Sequence, residues 1–393
     1  MTEKLFWQNQ YQTEFTASVV DQFPSDEGHA VVLDRTCFYA TSGGQPHDTG
    51  LLNSLPVRDV RIEDDRIVHI VPSRVDAVNV NGVIDWTRRF DHMQQHSGQH
   101  MLSAAFYQLF QAETSSFHLG VDECSIELNK PNLKDSQVRE AEQLANEVIL
   151  SAKEVKSFLI DPEKAKDYPL RKKSDLTEAL RIVQFGEFDM SPCSGTHVRN
   201  TAEVGAIFIY GFEKLSQTLK VTFLCGNRVR SRYHGDVAVL KNVSKTLTTS
   251  FDLIPSSVTK LLAQIKELRR ENMQMKEGKL KAEAMQLLVK AEDWYGKHLM
   301  IACWKRPYDE VRYLAQRLSE QEAVVGAFAS IEEDRVVFFK NKGLEFDLRA
   351  VFQDFLIASG AKGGGAPHFM EAGSFAVATG LEQLLHQLFA RRA

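Results

Sequence analysis

The sequence predicts an α+β chain of several domains: an N-terminal small antiparallel β-barrel, a central α+β domain with a mostly antiparallel sheet, a long helical connector and a C-terminal α/β domain. Three observations predict it. Residues 1 to about 90 alternate apolar and polar positions in short runs broken by Gly, Asp and Asn, the period of half-buried strands. Residues 91–250 mix helical and strand periods with hairpin-like joins, which favours one mostly antiparallel sheet. From Pro255 onward a charge-rich helical stretch gives way to alternating strands and helices. With 393 residues and 43% apolar content, the chain can bury a substantial core in more than one domain.

In the first domain, 1–90, the strands fall in TEFTASVVDQF, GHAVVLDRTCFYA, LPVRDVRIEDDRIVHIV and VNVNGVIDW. Between two of them runs Thr36 to Gly50, whose paired Gly43 and Gly44 permit close backbone approach. Taken alone, this segment reads as a turn.

The second domain, 91–250, opens with a helix over Met93–Leu109. His96 and His100 stand four apart on it, so both imidazoles share one face. A strand in SSFHLGVDECSIELN and an amphipathic helix in DSQVREAEQLANEVILSAKEV follow, then a strand around EALRIVQFG. Next comes Cys193-Ser194-Gly195-Thr196-His197, where glycine lets the backbone curl and turn Cys193 and His197 inward. Strands in GAIFIYGFEK and TLKVTFLCG and a helix in GDVAVLKNVSKTLTT close the unit. A thiolate and three imidazoles, His96, His100, Cys193 and His197, suit one tetrahedral Zn²⁺. The first motif reads HSGQH and lacks the glutamate of HExxH, which disfavours a zincin-type protease.

The connector, 251–297, is a long helix whose heptad seam takes in Leu261, Ile265, Leu268, Asn272, Met275, Lys279, Ala282, Gln286 and Val289. An apolar first half with Asn272 on the seam suits a dimeric coiled coil, whereas Gly278 and Lys279 argue for a break or hairpin; an intramolecular connector is the other reading. The last domain, 298–393, reads strand, helix, two strands, helix, glycine loop and final helix. In that loop Lys362, Gly363, Gly364 and Gly365 expose backbone amides beside one cation, an arrangement able to approach phosphates. The Walker A and G-x-G-x-x-G spacings are absent, so a plain flexible loop is the alternative.

Composition sets further bounds. Lys+Arg 47 against Asp+Glu 52 leaves a net charge of -5, so no global basic field advertises nucleic acid. Any RNA contact is local, with candidate patches at Arg88-Arg89, at Arg171-Lys172-Lys173 and at Arg228, Arg230 and Arg232; each alone reads as a solvated face. Five cysteines without a disulfide-like framework fit a reducing compartment. The N-terminus lacks the apolar core of a signal peptide, and no run reaches the length of a membrane span, so a cytoplasmic protein with no membrane partner is expected.

Several separated segments coincide with one family. TCFYATSGGQPHDTG resembles the T-x-F-Y-x-x-x-G-G-Q-x-x-D-x-G element of alanyl-tRNA synthetase editing regions. HSGQHML and CSGTHV resemble that family's H-x3-H and C-x3-H motifs, FHLG an intervening element, and AKGGGAPHFMEAG the glycine-rich loop of the synthetase C-terminal domain, shared with the DHH-associated domain. The chain starts at the editing region, and so resembles the free-standing alanyl-tRNA editing proteins, AlaX, in their long form. It departs from the pattern at Ser194, where glycine is frequent.

The resemblance implies an aminoacyl-tRNA deacylase: hydrolysis of the ester joining serine, or glycine, to alanine tRNA, dependent on zinc. Size cannot separate serine from the smaller alanine, so the serine hydroxyl needs a hydrogen-bonding partner. Thr36 is the candidate partner and Gln45 the second, both placed at the catalytic site. Gly43, Gly44 and His118 are candidate substrate contacts, and Gln99 a support behind the metal ligands. Lys362 and Gly363 to Gly365 are candidate tRNA contacts, and a homodimer through 255–297 or the C-terminal domain is a further expectation. Two rivals stand: a zinc-stabilised tRNA-binding protein without catalysis, and another metal-dependent esterase acting without tRNA.

Overall fold

A computed structural model describes residues 2–172, 180–374 and 380–392. It divides into two compact units, one up to Val243 and one from Ser244 on. The expected boundary near residue 90 therefore lies inside the first unit.

The first unit opens with a seven-stranded antiparallel sheet. Its strands are β1 (Glu14–Ser25), β2 (Gly28–Leu33), β3 (Gly50–Leu52), β4 (Leu55–Val57), β5 (Asp59–Glu63), β6 (Arg66–Val71) and β7 (Asn79–Ile84). They lie in the order β4-β3-β7-β1-β2-β6-β5, a nearly closed barrel around Phe15, Val31, Phe38, Val60 and Val80. The predicted β-barrel is borne out. LPVRDVRIEDDRIVHIV supplies three strands, the last two joined where Asp64 and Asp65 both take positive φ and turn the chain back.

Helix α1 (Trp86–Phe110) follows, capped by Asp85, whose carboxylate accepts the Arg88 N–H. It begins seven residues before the expected start, and its residues from Met93 to Phe106 are all buried. That is why its apolar stripe is blurred: the helix is enclosed on several sides, so polar positions are buried with apolar ones. SSFHLGVDECSIELN forms a hairpin and not one strand, β8 (Thr114–Leu119) and β9 (Cys124–Leu128), with the Gly120 N–H donated to Glu123 O at 2.9 Å across the turn.

After α2 (Asp135–Leu150) come β10 (Val155–Ile160), β11 (Leu180–Phe185) and β12 (Asp189–Pro192), an antiparallel three-stranded sheet in that order. Strands β13 (Ile207–Lys214) and β14 (Leu219–Cys225) join the hairpin as β8-β9-β14-β13, all antiparallel. Helix α1 lies against this sheet so closely that a Cβ on Gly98 would stand 2.2 Å from Cys225 Sγ. Gly98 separates the two ligand histidines, and only a missing side chain admits the sheet there. Helix α3 (Asn227–Leu247) starts eight residues earlier than expected.

In the second unit, α4 (Ile254–Val289) is continuous through Gly278 and Lys279, so the expected break is absent. Leu280 and Ala284 face its own domain core, but the heptad seam is bare: Leu261, Ile265, Leu268, Met275 and Val289 are all exposed. The domain beyond has β15 (Glu292–Trp294), β16 (Lys297–Trp304), α5 (Tyr308–Ser319), β17 (Val324–Ser330), β18 (Arg335–Lys340), α6 (Leu348–Ser359), β19 (Lys362–Ala366), β20 (Phe369–Gly373) and α7 (Leu381–Ala390). The sheet order is β15-β16-β17-β18-β20-β19, with β16 and β17 its parallel pair. The predicted glycine loop is thus an edge strand, paired antiparallel with β20. A Cβ on Gly363 would meet Glu371 O at 2.1 Å, so its glycine serves close strand pairing.

Candidate metal centre and adjoining cleft

The two motifs meet in space. His96 and His100 come from α1, and Cys193 and His197 from the turn after β12; their ligand atoms all lie within 4.8 Å of one another. Cys193 Sγ is 3.4 Å from His96 Nε2 and 3.3 Å from His197 Nε2. Tetrahedral zinc with ordinary Zn–N and Zn–S lengths sets neighbouring donors about 3.3–3.6 Å apart, so these spacings fit. Each imidazole is oriented through its other nitrogen. His96 Nδ1 lies 2.8 Å from Gln45 Oε1, His100 Nδ1 3.2 Å from Asp189 Oδ2 and His197 Nδ1 3.3 Å from Ser97 Oγ. That leaves all three Nε2 atoms to converge on the thiolate, the arrangement of histidine metal ligands backed by outer hydrogen bonds.

Electrostatics prepare Cys193 and His197 for a cation. Burial works to raise the Cys193 thiol, but the neighbouring His96 and His197 and hydrogen bonds from His100 and His197 outweigh it and hold it well below its ordinary value. Burial works against charge on His100, yet the Asp189 hydrogen bond and the Cys193 thiolate lift it to about 9. Burial instead drives His197 down to about 3. The Cys193 thiolate and the neutral His197 are in the state that binding of a divalent ion requires, whereas His100 gives up its proton when a metal binds.

The turn between Cys193 and His197 is shaped by Gly195, where a Cβ would lie 2.3 Å from His96 Cε1. Arg181 holds its backbone, donating Nη1 to the carbonyls of Cys193 and Gly195 at 2.9 and 2.8 Å. Trp7 Nε1 donates to Ser194 O at 3.1 Å. His96, His100 and Cys193 face a cleft of about 680 Å³, also lined by Gly43, Gln99, Arg171, Lys172, Arg181 and Ser194. Among the described residues no carboxylate lines it. Asp189 is behind, shared by His100 and by Arg171, whose Nε donates to it at 2.7 Å.

The other expected residues fall as follows. Gln45 is buried between the motifs: its Oε1 accepts the Thr196 N–H at 3.0 Å as well as facing His96, and its Nε2 donates to Thr196 Oγ1 at 2.8 Å. Gly44 sits against Phe117, while His118 is exposed on β8 and does not line the cleft. Thr36 is fully buried in the barrel, with its hydroxyl 2.9 Å from His69 Nε2 and accepting the Phe38 N–H at 3.1 Å. It does not line the cleft, because that hydroxyl is committed to His69. Gln99 lines the cleft, and its Nε2 is donated to Ser103. Of the basic patches, Arg89 is fully buried and Arg228 pairs with Asp91, contrary to a solvated face; Lys172 faces the cleft, and Lys173 lies outside the described residues. Lys362 and Gly363 to Gly365 are exposed on the edge strand of the other unit. Sequence reasoning missed Asp189, Arg181 and Trp7. No spacing ties them to the motifs; only the pairing of β11 with β12 brings Arg181 to the ligand turn.

Comparisons with known proteins carry the same pattern. Residues 180–220 match the threonyl and alanyl tRNA synthetase second additional domain, and residues 4–88 match the class II (A) tRNA synthetases. The alanyl-tRNA editing protein Aarsd1-B of Xenopus laevis is 35% identical over 67% of this chain and 68% of its own length. The chain belongs to the alanyl-tRNA editing protein family. The editing protein AlaX-L of Pyrococcus horikoshii is 29% identical over 93% of both chains. The alanine–tRNA ligase of Pyrococcus abyssi is 26% identical over 82% of this chain but only 37% of the ligase.

Within this editing family member, Gln45 offers a direct test of how the ligands are oriented. Gln45→Met is expected to weaken zinc binding roughly 10- to 100-fold, measured by competition with a chromophoric chelator. Unchanged zinc affinity with a collapse in turnover would instead make Gln45 a substrate contact.

Proposed function

We propose that this editing protein hydrolyses the ester joining serine, and also glycine, to the terminal adenosine of alanine tRNA, with one Zn²⁺ held by His96, His100, Cys193 and His197. Deacylation of mischarged alanine tRNA is the family's activity. The observation that carries the site assignment is the cleft itself, which has the metal-type ligands in its wall and a rim of cations free of carboxylate among the described residues. A phosphate-bearing ester is drawn to such a surface.

His197 is fully buried behind the cluster, whereas His96, His100 and Cys193 face the cleft. The substrate therefore approaches from the side of those three. When bound, zinc there supplies Lewis acidity for the ester carbonyl or for water. The chain's own residues fix the ligands, position the ester and provide donors near the developing oxyanion, and an activated ester demands little more. Gln99 and Thr114, which both line the cleft, are in place to pair with the serine hydroxyl. Thr36 acts on discrimination indirectly, by anchoring the start of the segment that carries Gly43 and Gln45. Lys362 and the glycines after it are proposed to contact tRNA, the bare seam of α4 to take a second copy of the chain, and the cytoplasm to be the place of action.

The assay is deacylation of Ser-, Gly- and Ala-tRNA(Ala) by the full chain with zinc measured in parallel. Serine is expected to be released at least roughly a hundredfold faster than alanine, since an alanyl ester leaves the buried acceptor unpaired. Equal rates on the alanyl ester would overturn the editing reading, and tight tRNA binding without any release would leave a zinc-stabilised binding protein.

A further inference from the structure

Arg181 is buried and fully committed on one side only. Its Nη1 holds two carbonyls of the ligand turn, but its Nη2 is buried with no hydrogen-bond partner among the described residues. A guanidinium nitrogen without an acceptor is costly, and native structures keep few of them. It stands in a partition between two cavities. On one side is the metal-bearing cleft; on the other is a second pocket of about 320 Å³, and Trp7 and Arg181 line both.

The second pocket has a composition of its own. Trp7 gives it an aromatic surface, Leu159 an apolar one, Ser157 and Gln8 polar edges, and Lys4 and Arg181 positive charge. Lys4 Nζ stands 4.3 Å from the Trp7 ring centroid and the Arg181 guanidinium 6.0 Å from it. No carboxylate lines the pocket among the described residues. An aromatic ring flanked by cations beside a groove is a means by which proteins take single-stranded nucleic acid: the base stacks and the backbone charge is met by Lys or Arg.

We propose that this pocket is the subsite for the nucleotide preceding the terminal adenosine of the substrate's single-stranded 3′ end, with its base against Trp7 and Leu159 and the linking phosphate at Arg181 and Lys4. The inference rests on the cleft being the site of the aminoacyl ester. The terminal nucleoside occupies the cleft, the chain crosses the Trp7–Arg181 partition, and the phosphate supplies the acceptor that Nη2 lacks. It also links recognition to chemistry, because Arg181 holds the turn carrying Cys193 with one nitrogen and meets the RNA with the other.

The test separates binding from hydrolysis. Affinities of the full-length zinc-loaded protein for adenosine and for the uncharged trinucleotide CpCpA are measured by titration calorimetry, across a salt series. CpCpA is expected to bind at least roughly tenfold tighter, since one stacked base contributes about 5- to 150-fold. Lys4→Ala and Leu159→Glu, at half-buried and exposed positions on the pocket wall, are each expected to lower that ratio at least fivefold. Lys4→Ala also flattens the salt slope by about 0.7, the value for one phosphate contact on a single strand. Equal affinities for adenosine and CpCpA in the unaltered protein, or a ratio untouched by both variants, would overturn the subsite. Failure to release serine from Ser-tRNA(Ala) with the affinity ratio intact would overturn the hydrolytic reading and leave the subsite standing.

Discussion

Cys193→Ala is expected to abolish zinc retention and to lower release of serine from Ser-tRNA(Ala) by roughly a hundred- to ten-thousand-fold. The size follows from removing several kcal/mol of charge stabilisation at the ester, each 1.4 kcal/mol being about tenfold in rate. Cys193 is the pivot of the cluster, since its sulfur lies within 3.4 Å of two imidazole nitrogens and its thiolate supplies the charge that the histidines surround. Without it three neutral or protonated imidazoles remain, and such a set binds a divalent ion far more weakly. Zinc per chain, by atomic absorption, should fall from about one to near zero while the far-ultraviolet circular dichroism keeps its shape. Full zinc loading with lost turnover would mean that the thiolate acts on substrate directly; undiminished turnover would remove the metal from the reaction altogether.

The ligands were legible because each pair is local: four residues along a helix, and four across a glycine turn. Their supports were not. Gln45 approaches His96 from 51 residues away and Asp189 approaches His100 from 89, and neither distance leaves a periodic trace. The barrel strands were legible wherever one face met solvent, as in β7, whose burial alternates residue by residue. Helix α1 was harder: Arg89, Gln95 and Ser97 are fully buried, so an enclosed helix reads as a polar one and its true start at Trp86 is marked only by the Asp85 cap. The glycines after Lys362 suggested a loop because glycine permits many backbones. Here Gly363 and Gly365 answer a local crowding by the partner strand's carbonyls, which no single-strand pattern encodes. Thr36 illustrates a different gap. Its hydroxyl was expected to face a substrate, but the sequence gives no sign that His69, 33 residues on, reaches it first inside the barrel.

Arg89→Met is expected to destabilise the first unit by about 3–5 kcal/mol, because it leaves the Asp48 carboxylate charged, buried and without its partner. Both side chains of this pair are fully buried. Arg89 Nε donates to both Asp48 oxygens at 3.0 Å, Nη2 reaches Asp48 and Cys37 O, and Nη1 donates to Gln10 O at 2.9 Å. One guanidinium thus ties the start of α1 to the segment between Cys37 and Asp48 and to the N-terminal strand entry. Asp48 in turn accepts the Tyr39 N–H at 2.7 Å, which fixes the fold of the loop that delivers Gln45 to His96. For a unit of this size the loss corresponds to a fall of roughly 6–20 °C in melting temperature by calorimetry. The exposed pair Arg66–Asp21 is the control, where Arg66→Met should change stability by no more than about 1 kcal/mol. The double variant Asp48→Leu with Arg89→Met should recover stability relative to Arg89→Met alone, since no buried charge is then left unpaired. It should nevertheless weaken zinc binding, because removing Asp48 takes the acceptor from the Tyr39 N–H and frees the loop it anchors. Stability regained with zinc binding unchanged would mean that the ion pair serves only to neutralise itself; stability regained with weakened zinc binding identifies it as the brace between the barrel and the metal-bearing helix.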